Sequence, residues 1–236
     1  MKKIILILFA LTLAFAGCRT NNLENYDLNR KKIYFEEVVS TNARQVEIMH
    51  DDAPPTNEKK STGETIANVA LAVSNIFVGS ELGNKLTNAV NPDSIAYAVS
   101  DGVGTTLRKF LMVEPVWDLV DDAEFVATTT IEEIQLHSTS GSIYIKVQAS
   151  TQITSRNDGE VVWENTESES YPLRNYYGGE ETAMGRTLKN VLQTTELASL
   201  SEDQLRNAIN DAATRVGIYM AETLRKDIAK SKKAKT

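Results

Sequence analysis

A period of two governs residues 123–171, and that pattern suits little besides paired extended chain. Ile143, Ile145, Val147, Ala149, Thr151 and Ile153 fall on one side of a single run, with Tyr144, Lys146, Gln148, Ser150, Gln152 and Thr154 on the other. Such a strand has one buried and one wetter face. Upstream, Phe125, Ala127, Thr129 and Ile131 share a face, but Ile134 and Leu136 continue one residue out of phase, which predicts a bulge at Glu132 and Glu133. A Ser-Thr-Ser-Gly turn at 138–141 separates these two strands. Asn157, Asp158 and Gly159, residues that tolerate positive φ, then predict a hairpin into Val161 and Trp163. The outcome is a three-stranded antiparallel meander. From Thr166 to Arg186 the periodicity fades, and the stretch reads as a long loop carrying Tyr171, Tyr176 and Tyr177.

Helical spacing brackets the meander. Ser201 with Gln204 three residues on makes a capping box, followed by a stripe of Leu205, Ile209, Ala212, Val216, Met220, Leu224 and Ile228. Asn91, Pro92 and Asp93 form a second helix start, with Ile95, Val99, Val103 and Leu107 on one face. Gly102 and Gly104 in that helix suggest close packing against a sheet. Residues 110–116 (FLMVEPV) read as a buried strand ended near Pro115, residues 33–39 as a first strand, and residues 46–49 as a short second piece. Ile66, Val69, Ala70, Val73, Phe77, Leu82, Leu86 and Val90 recur at helical spacing, as one amphipathic helix or two broken near Gly79 and Gly83. That apolar segment either covers the domain's own core or touches a membrane or partner. The expected class is α+β, an antiparallel β-meander of three to five strands packed against helices that include a long C-terminal one. Residues 33–230 form a single domain in this reading, with 62–90 as its apolar helical segment, readable as an insertion.

The first eighteen residues, MKKIILILFALTLAFAGC, set location rather than fold. Two lysines, an apolar run and the small Ala16 and Gly17 have the layout of a secretory signal. The apolar part is shorter than the ~20 residues a spanning helix needs. Cys18 is the only cysteine, so an exported chain has a thiol with no internal disulfide partner, and an acyl acceptor gives it a purpose. Two alternatives stand beside lipidation: cleavage after Ala16 at the Ala14-x-Ala16 pattern, and retention as a membrane helix. Phe15, Ala16, Gly17 and Cys18 resemble the lipobox of bacterial lipoprotein signals, with Phe15 where leucine is usual. The resemblance implies removal of residues 1–17, lipid on Cys18 as the membrane attachment, and, because Arg19 is not aspartate, outer-membrane residence facing the periplasm. Residues 18–32, rich in asparagine, read as the lipidated cysteine and a flexible tether, and residues 231–236 as a solvated basic tail.

Chemistry is sparse elsewhere. Of 25 lysines and arginines, Lys2 and Lys3 go with the signal, leaving 23 against 32 acids and a mature net charge of −9. Nucleic acid is therefore a poor partner. The chain has no G-x-S-x-G, P-loop or G-x-G-x-x-G motif. His50 beside Asp51 and Asp52, the acids Asp118, Asp121, Asp122 and Glu124, and the adjacent Glu132 and Glu133 lack convergent metal or catalytic spacing. No catalytic residue, metal ligand or cofactor is expected, and the protein reads as a non-enzyme.

Residues 121–131, the long amphipathic strand, the turn into Gly-Glu-Val-Val-Trp at 159–163 and the closing helix resemble a small α/β domain of bacterial envelope lipoproteins. These are the auxiliary lipoproteins of ABC-type lipid transporters, penicillin-binding-protein activators and curli-secretion lipoproteins. The resemblance spans residues 92–230 and implies a non-enzymatic binding or assembly adaptor with an envelope protein partner. Candidate partner or lipid contacts are Ile66, Val69, Val73 and Phe77 on the apolar helix, with Tyr176 and Tyr177 in the Gly-rich loop. A structural oligomer of a secretion or envelope complex and an envelope hydrolase are the rival classes.

Overall fold

Among the described residues, the alternating segments form the centre of a seven-stranded sheet. The computed structural model describes residues 19–44, 46–50, 84–116, 123–138, 142–175 and 199–234. In chain order these build β1 (Thr20–Asn21), β2 (Lys32–Val39), a 3-10 turn (Asn42–Arg44), β3 (Glu47–His50), helix α1 (Pro92–Leu111), β4 (Glu114–Val116), β5 (Phe125–Ser138), β6 (Ser142–Ser155), β7 (Val161–Asn175) and helix α2 (Glu202–Ala234). Strand order is β1-β7-β6-β5-β2-β4, with β3 also paired to β5. The predicted meander is β5-β6-β7, antiparallel throughout. Flanking it, β2 and β3 run parallel to β5, and β4 runs parallel to β2. The class is α+β, with a mixed sheet built outward from the meander.

The bulge falls where the phase shift placed it. Ile131 pairs with Ala149 and Glu133 with Gln148, so Glu132 is the extra residue, and both Ile131 and Ile134 stay buried. At the same point β2 gives way to β3 along the β5 edge. Ser40 marks the changeover, its N–H donating to Ile131 O at 3.0 Å and its Oγ to Glu132 O at 2.7 Å.

Both helices cover one face of the sheet, α2 over β6 and β7, and α1 over β2 and β5. Asn91 caps α1 by accepting from Ser94 N at 3.2 Å, with Pro92 in the first turn. Asn91→Ala is expected to lower the unfolding free energy by about 1 kcal/mol in urea titration, because it leaves that first-turn N–H without its side-chain acceptor. At α2 the capping box is reciprocal: Gln204 N donates to Ser201 Oγ at 3.2 Å and Ser201 N to Gln204 Oε1 at 3.0 Å. All seven residues of the predicted α2 stripe are buried. The two glycines of α1 divide their roles. Gly104 faces the Phe35 ring of β2, as sheet packing requires, whereas Gly102 lies against the backbone of Gly217 in α2.

Four expectations are corrected. Residues 110–116 are not one strand: α1 continues to Leu111, Met112 turns the chain in the left-handed region at φ 53°, and only Glu114–Val116 pairs. Pro115 is tolerated there because β4 is an edge strand with no neighbour on its far side among the described residues. Residues 166–175 are not loop but the second half of β7, paired with β6 as far as Asn175. Residues 231–234 are not a loose tail, since α2 runs to Ala234 and Lys232 Nζ donates to Phe110 O at 3.0 Å. Finally, residues 19–31 are not a flexible tether. Thr20 and Asn21 pair with Glu164 and Trp163, and Leu23 and Leu28 are buried in the core cluster around Trp163. Two buried apolar side chains and main-chain pairing, together with polar contacts, dock a segment whose composition is otherwise that of a linker.

Candidate functional site

Asp227 lies on the apolar stripe of α2 and is only 1% exposed. A buried carboxylate needs compensating donors. Arg19 Nη2 spans both its oxygens, at 2.8 Å to Oδ1 and 2.7 Å to Oδ2, and Trp163 Nε1 donates to Oδ2 at 3.1 Å. Lys230 Nζ stands 3.7 Å from Oδ1, one turn along the helix. Trp163, the largest fully buried side chain among the described residues, occupies the inward phase of β7, so its ring N–H must find a partner inside. Asp227 thus joins helix, sheet and the first described residue of the chain.

Further contacts fix the segment after Arg19. Asn22 N donates to Val162 O at 2.8 Å and Asn22 Nδ2 to Val161 O at 2.9 Å. Tyr26 meets the Phe125 ring edge-on and donates its hydroxyl to Asp158 Oδ2 at 3.0 Å. The Asp158 carboxyl is held below its ordinary range, chiefly by the Ser155 hydroxyl and then by the Glu160 N–H. Its contribution to stability is therefore present at neutral pH and is lost as pH falls through that lowered value. Lys31 and Glu124 close the segment with a 2.7 Å ion pair.

Cys18 lies outside the described residues, one peptide bond from this clamp. Ile66, Val69, Val73, Phe77, Tyr176 and Tyr177 also lie outside them. The end of the apolar segment is described, however, and Leu86 and Ala89 are buried in the core with Ile95. Asp118, Asp121 and Asp122 are outside the described residues, and Glu124 is the partner of Lys31. Glu132 and Glu133 do not converge. Glu132 accepts from Gln148 Nε2 at 2.7 Å, and Glu133 from Gln135 Nε2 at 2.8 Å. His137 stacks on Tyr144 at 4.8 Å with its Nε2 2.9 Å from Gln135 Oε1. Among the described residues no group of three metal-ligating side chains could hold an ion, and no helix is long and apolar enough to cross a membrane.

On the solvent side of the helices, a shallow groove of about 600 Å³ runs beside the Gly102 contact, bordered by Thr105, Phe110, Ile218 and Tyr219. Ile218 and Tyr219 are 57% and 45% exposed, large apolar groups left in water on the outer surface of α2.

No protein-family model and no curated protein sequence matches the chain. Among solved structures it is similar to protein XCC0632 of Xanthomonas campestris, of family DUF330, at 8% identity, covering 89% of this chain and 91% of that one with a TM-score of 0.41. It is also similar to the PelC dodecamer of Paraburkholderia phytofirmans at 12% identity, 85% and 95% coverage and a TM-score of 0.32. The lipoprotein GNA1162 of Neisseria meningitidis shares 13% identity, with 72% and 99% coverage and a TM-score of 0.25. At these values none of the three defines what this chain does.

Sequence reasoning passes over the clamp itself. Its signal is an acid, Asp227, one residue before Ile228 on a stripe that runs through Val216, Met220 and Leu224, together with an inward tryptophan on the facing strand.

Proposed function

We propose that the protein is a lipid-anchored envelope adaptor of bacteria, non-enzymatic, carrying its membrane attachment on Cys18 and facing the periplasm from the outer membrane. The observation that carries this reading is the clamp. Arg19, the residue next to Cys18, is fixed by a 2.7 Å ion pair to a buried aspartate, so the fold is tied down one residue from the proposed attachment point. That arrangement suits an anchor that must hold a domain against a surface. The inward polar groups Thr129 and Thr151 bond each other at 3.1 Å, Asn165 bonds Glu167, and Asp227 is taken up by Arg19 and Trp163, so these side chains serve the fold. An adaptor also needs a face for its protein partner, and the exposed Ile218 and Tyr219 beside the α1–α2 groove offer one.

Replacing Cys18 with serine tests the anchor. Metabolic labelling with an alkyne-bearing fatty acid is expected to mark the native chain and to leave Cys18→Ser unmarked. Label persisting on the serine variant would contradict the assignment.

A further inference from the structure

We infer that the corner formed by Arg19 and the last turns of α2 binds anionic phospholipid headgroups, seating the domain directly on the bilayer. The position of this corner against a membrane rests on the reading of Cys18 as the lipid-bearing residue; its charge does not. From residue 223 to residue 236 the chain carries Arg225, Lys226, Lys230, Lys232, Lys233 and Lys235 against one acid, Asp227. That acid is already committed to Arg19. Glu222, at the near end of the segment, is paired with Arg225 at 2.7 Å and with Lys226 at 3.6 Å, and with it counted the stretch still carries six bases against two acids. In a mature chain that is strongly acidic as a whole, this is a segregation of charge, the arrangement that draws one corner of a protein to an anionic surface.

Helix geometry sharpens the corner. Lys226, Lys230 and Lys233 recur at spacings of four and three and therefore share one side of α2. Lys230 Nζ, 3.7 Å from the carboxylate that Arg19 holds, places that side next to Arg19. The side chains of Lys226 and Lys230 are 60% and 72% exposed, and their long stems reach outward with the ammonium group in water. One residue of extended chain spans about 3.5 Å, so acyl chains carried by residue 18 hold Arg19 within the headgroup layer, which is roughly 6 Å deep in each leaflet. A longer leash would let the domain turn any face to the membrane. Here the clamp on Asp227 selects this one.

Vesicle binding by residues 19–236, which contain every strand and helix described above, tests the corner without the lipid. Phosphatidylcholine vesicles with about one third phosphatidylglycerol should bind the chain, and added salt should release it; vesicles of phosphatidylcholine alone should not bind. Each basic residue near such a surface is worth about fivefold in affinity, so Lys226→Gln, Lys230→Gln and Lys233→Gln together should weaken binding roughly 100-fold. Lys85→Gln, Lys146→Gln and Arg206→Gln remove the same charge from other parts of the domain and should cost at most a few-fold. No binding to the anionic vesicles, equal binding to neutral ones, or equal loss in the two triple variants would overturn the inference. Acylation of Cys18 in the full chain is read separately, so a failed anchor and a failed corner give different results.

Discussion

Asp227→Ala is expected to lower the unfolding free energy by about 2 to 3 kcal/mol and to release the N-terminal segment from the sheet. Two groups lose their acceptor in that variant. The Trp163 N–H is fully buried and has no access to water, so leaving it unpaired costs about 1 to 3 kcal/mol. Arg19 is 48% exposed and can turn into solvent, so the full cost of stranding a buried charge does not arise. Asp227→Asn retains an acceptor for Trp163 while giving up the charge, and its cost should be about half as large. Urea titration reads the stability. Hydrogen exchange reads the release: the Asn22 amide, bonded to Val162 O, should exchange faster in Asp227→Ala by more than the global destabilisation explains. Uniformly faster exchange would mean that Asp227 stabilises the whole fold without acting on the segment beyond the anchor.

Gly102→Ala should destabilise the protein although alanine is the better helix former. Helix propensity alone predicts a gain of about 1 kcal/mol. Packing opposes it, because a Cβ at Gly102 would stand 2.5 Å from Gly217 O and 2.8 Å from Gly217 C, and backbone atoms cannot turn aside as a side chain can. Gly217 is constrained from the other direction, its own Cβ meeting Ala98 O at 2.8 Å. Separating the helices to make room disturbs the core beneath them, so a net loss of about 1 to 3 kcal/mol is expected. Gly104→Ala is the control. Its Cβ would meet only the Phe35 ring, at 3.3 Å, and that side chain can yield, leaving the two effects nearly balanced. If Gly102→Ala raised the melting temperature, the close crossing of α1 and α2 would be wrong.

Legibility in the sequence tracks apolar periodicity. Ile143 to Ile153 keep strict alternation because that whole face is buried, and the slip between Ile131 and Ile134 reveals the bulge. Asn91 and the Ser201–Gln204 pair reveal helix starts because capping requires those side chains at those positions. The second half of β7 is hidden for the converse reason. Of its inward side chains, Glu167, Glu169 and Tyr171 are held by Thr223 at 2.9 Å, by Arg215 at 3.7 Å, and by Arg215 over the tyrosine ring, and Leu173 alone is aliphatic. Polar pairing of this kind has no period that hydrophobicity can show, and the main-chain ladder that defines the strand is independent of side-chain type. The segment after Arg19 is obscured in the same way, since only Leu23 and Leu28 betray its burial. As for the candidate site, Cys18 stands out through the signal before it, whereas the clamp joins residues 19, 163 and 227, which only the fold brings together.

The proposed anchor requires a mature chain that begins at a lipid-bearing Cys18 next to the clamped Arg19. The mass of the N-terminal peptide from protein purified out of the bacterial envelope tests this most directly. The expected peptide begins at Cys18 and carries the added mass of a diacylglycerol and an amide-linked acyl chain. A peptide that begins at Met1, or one that contains Cys18 as a free thiol, would contradict it.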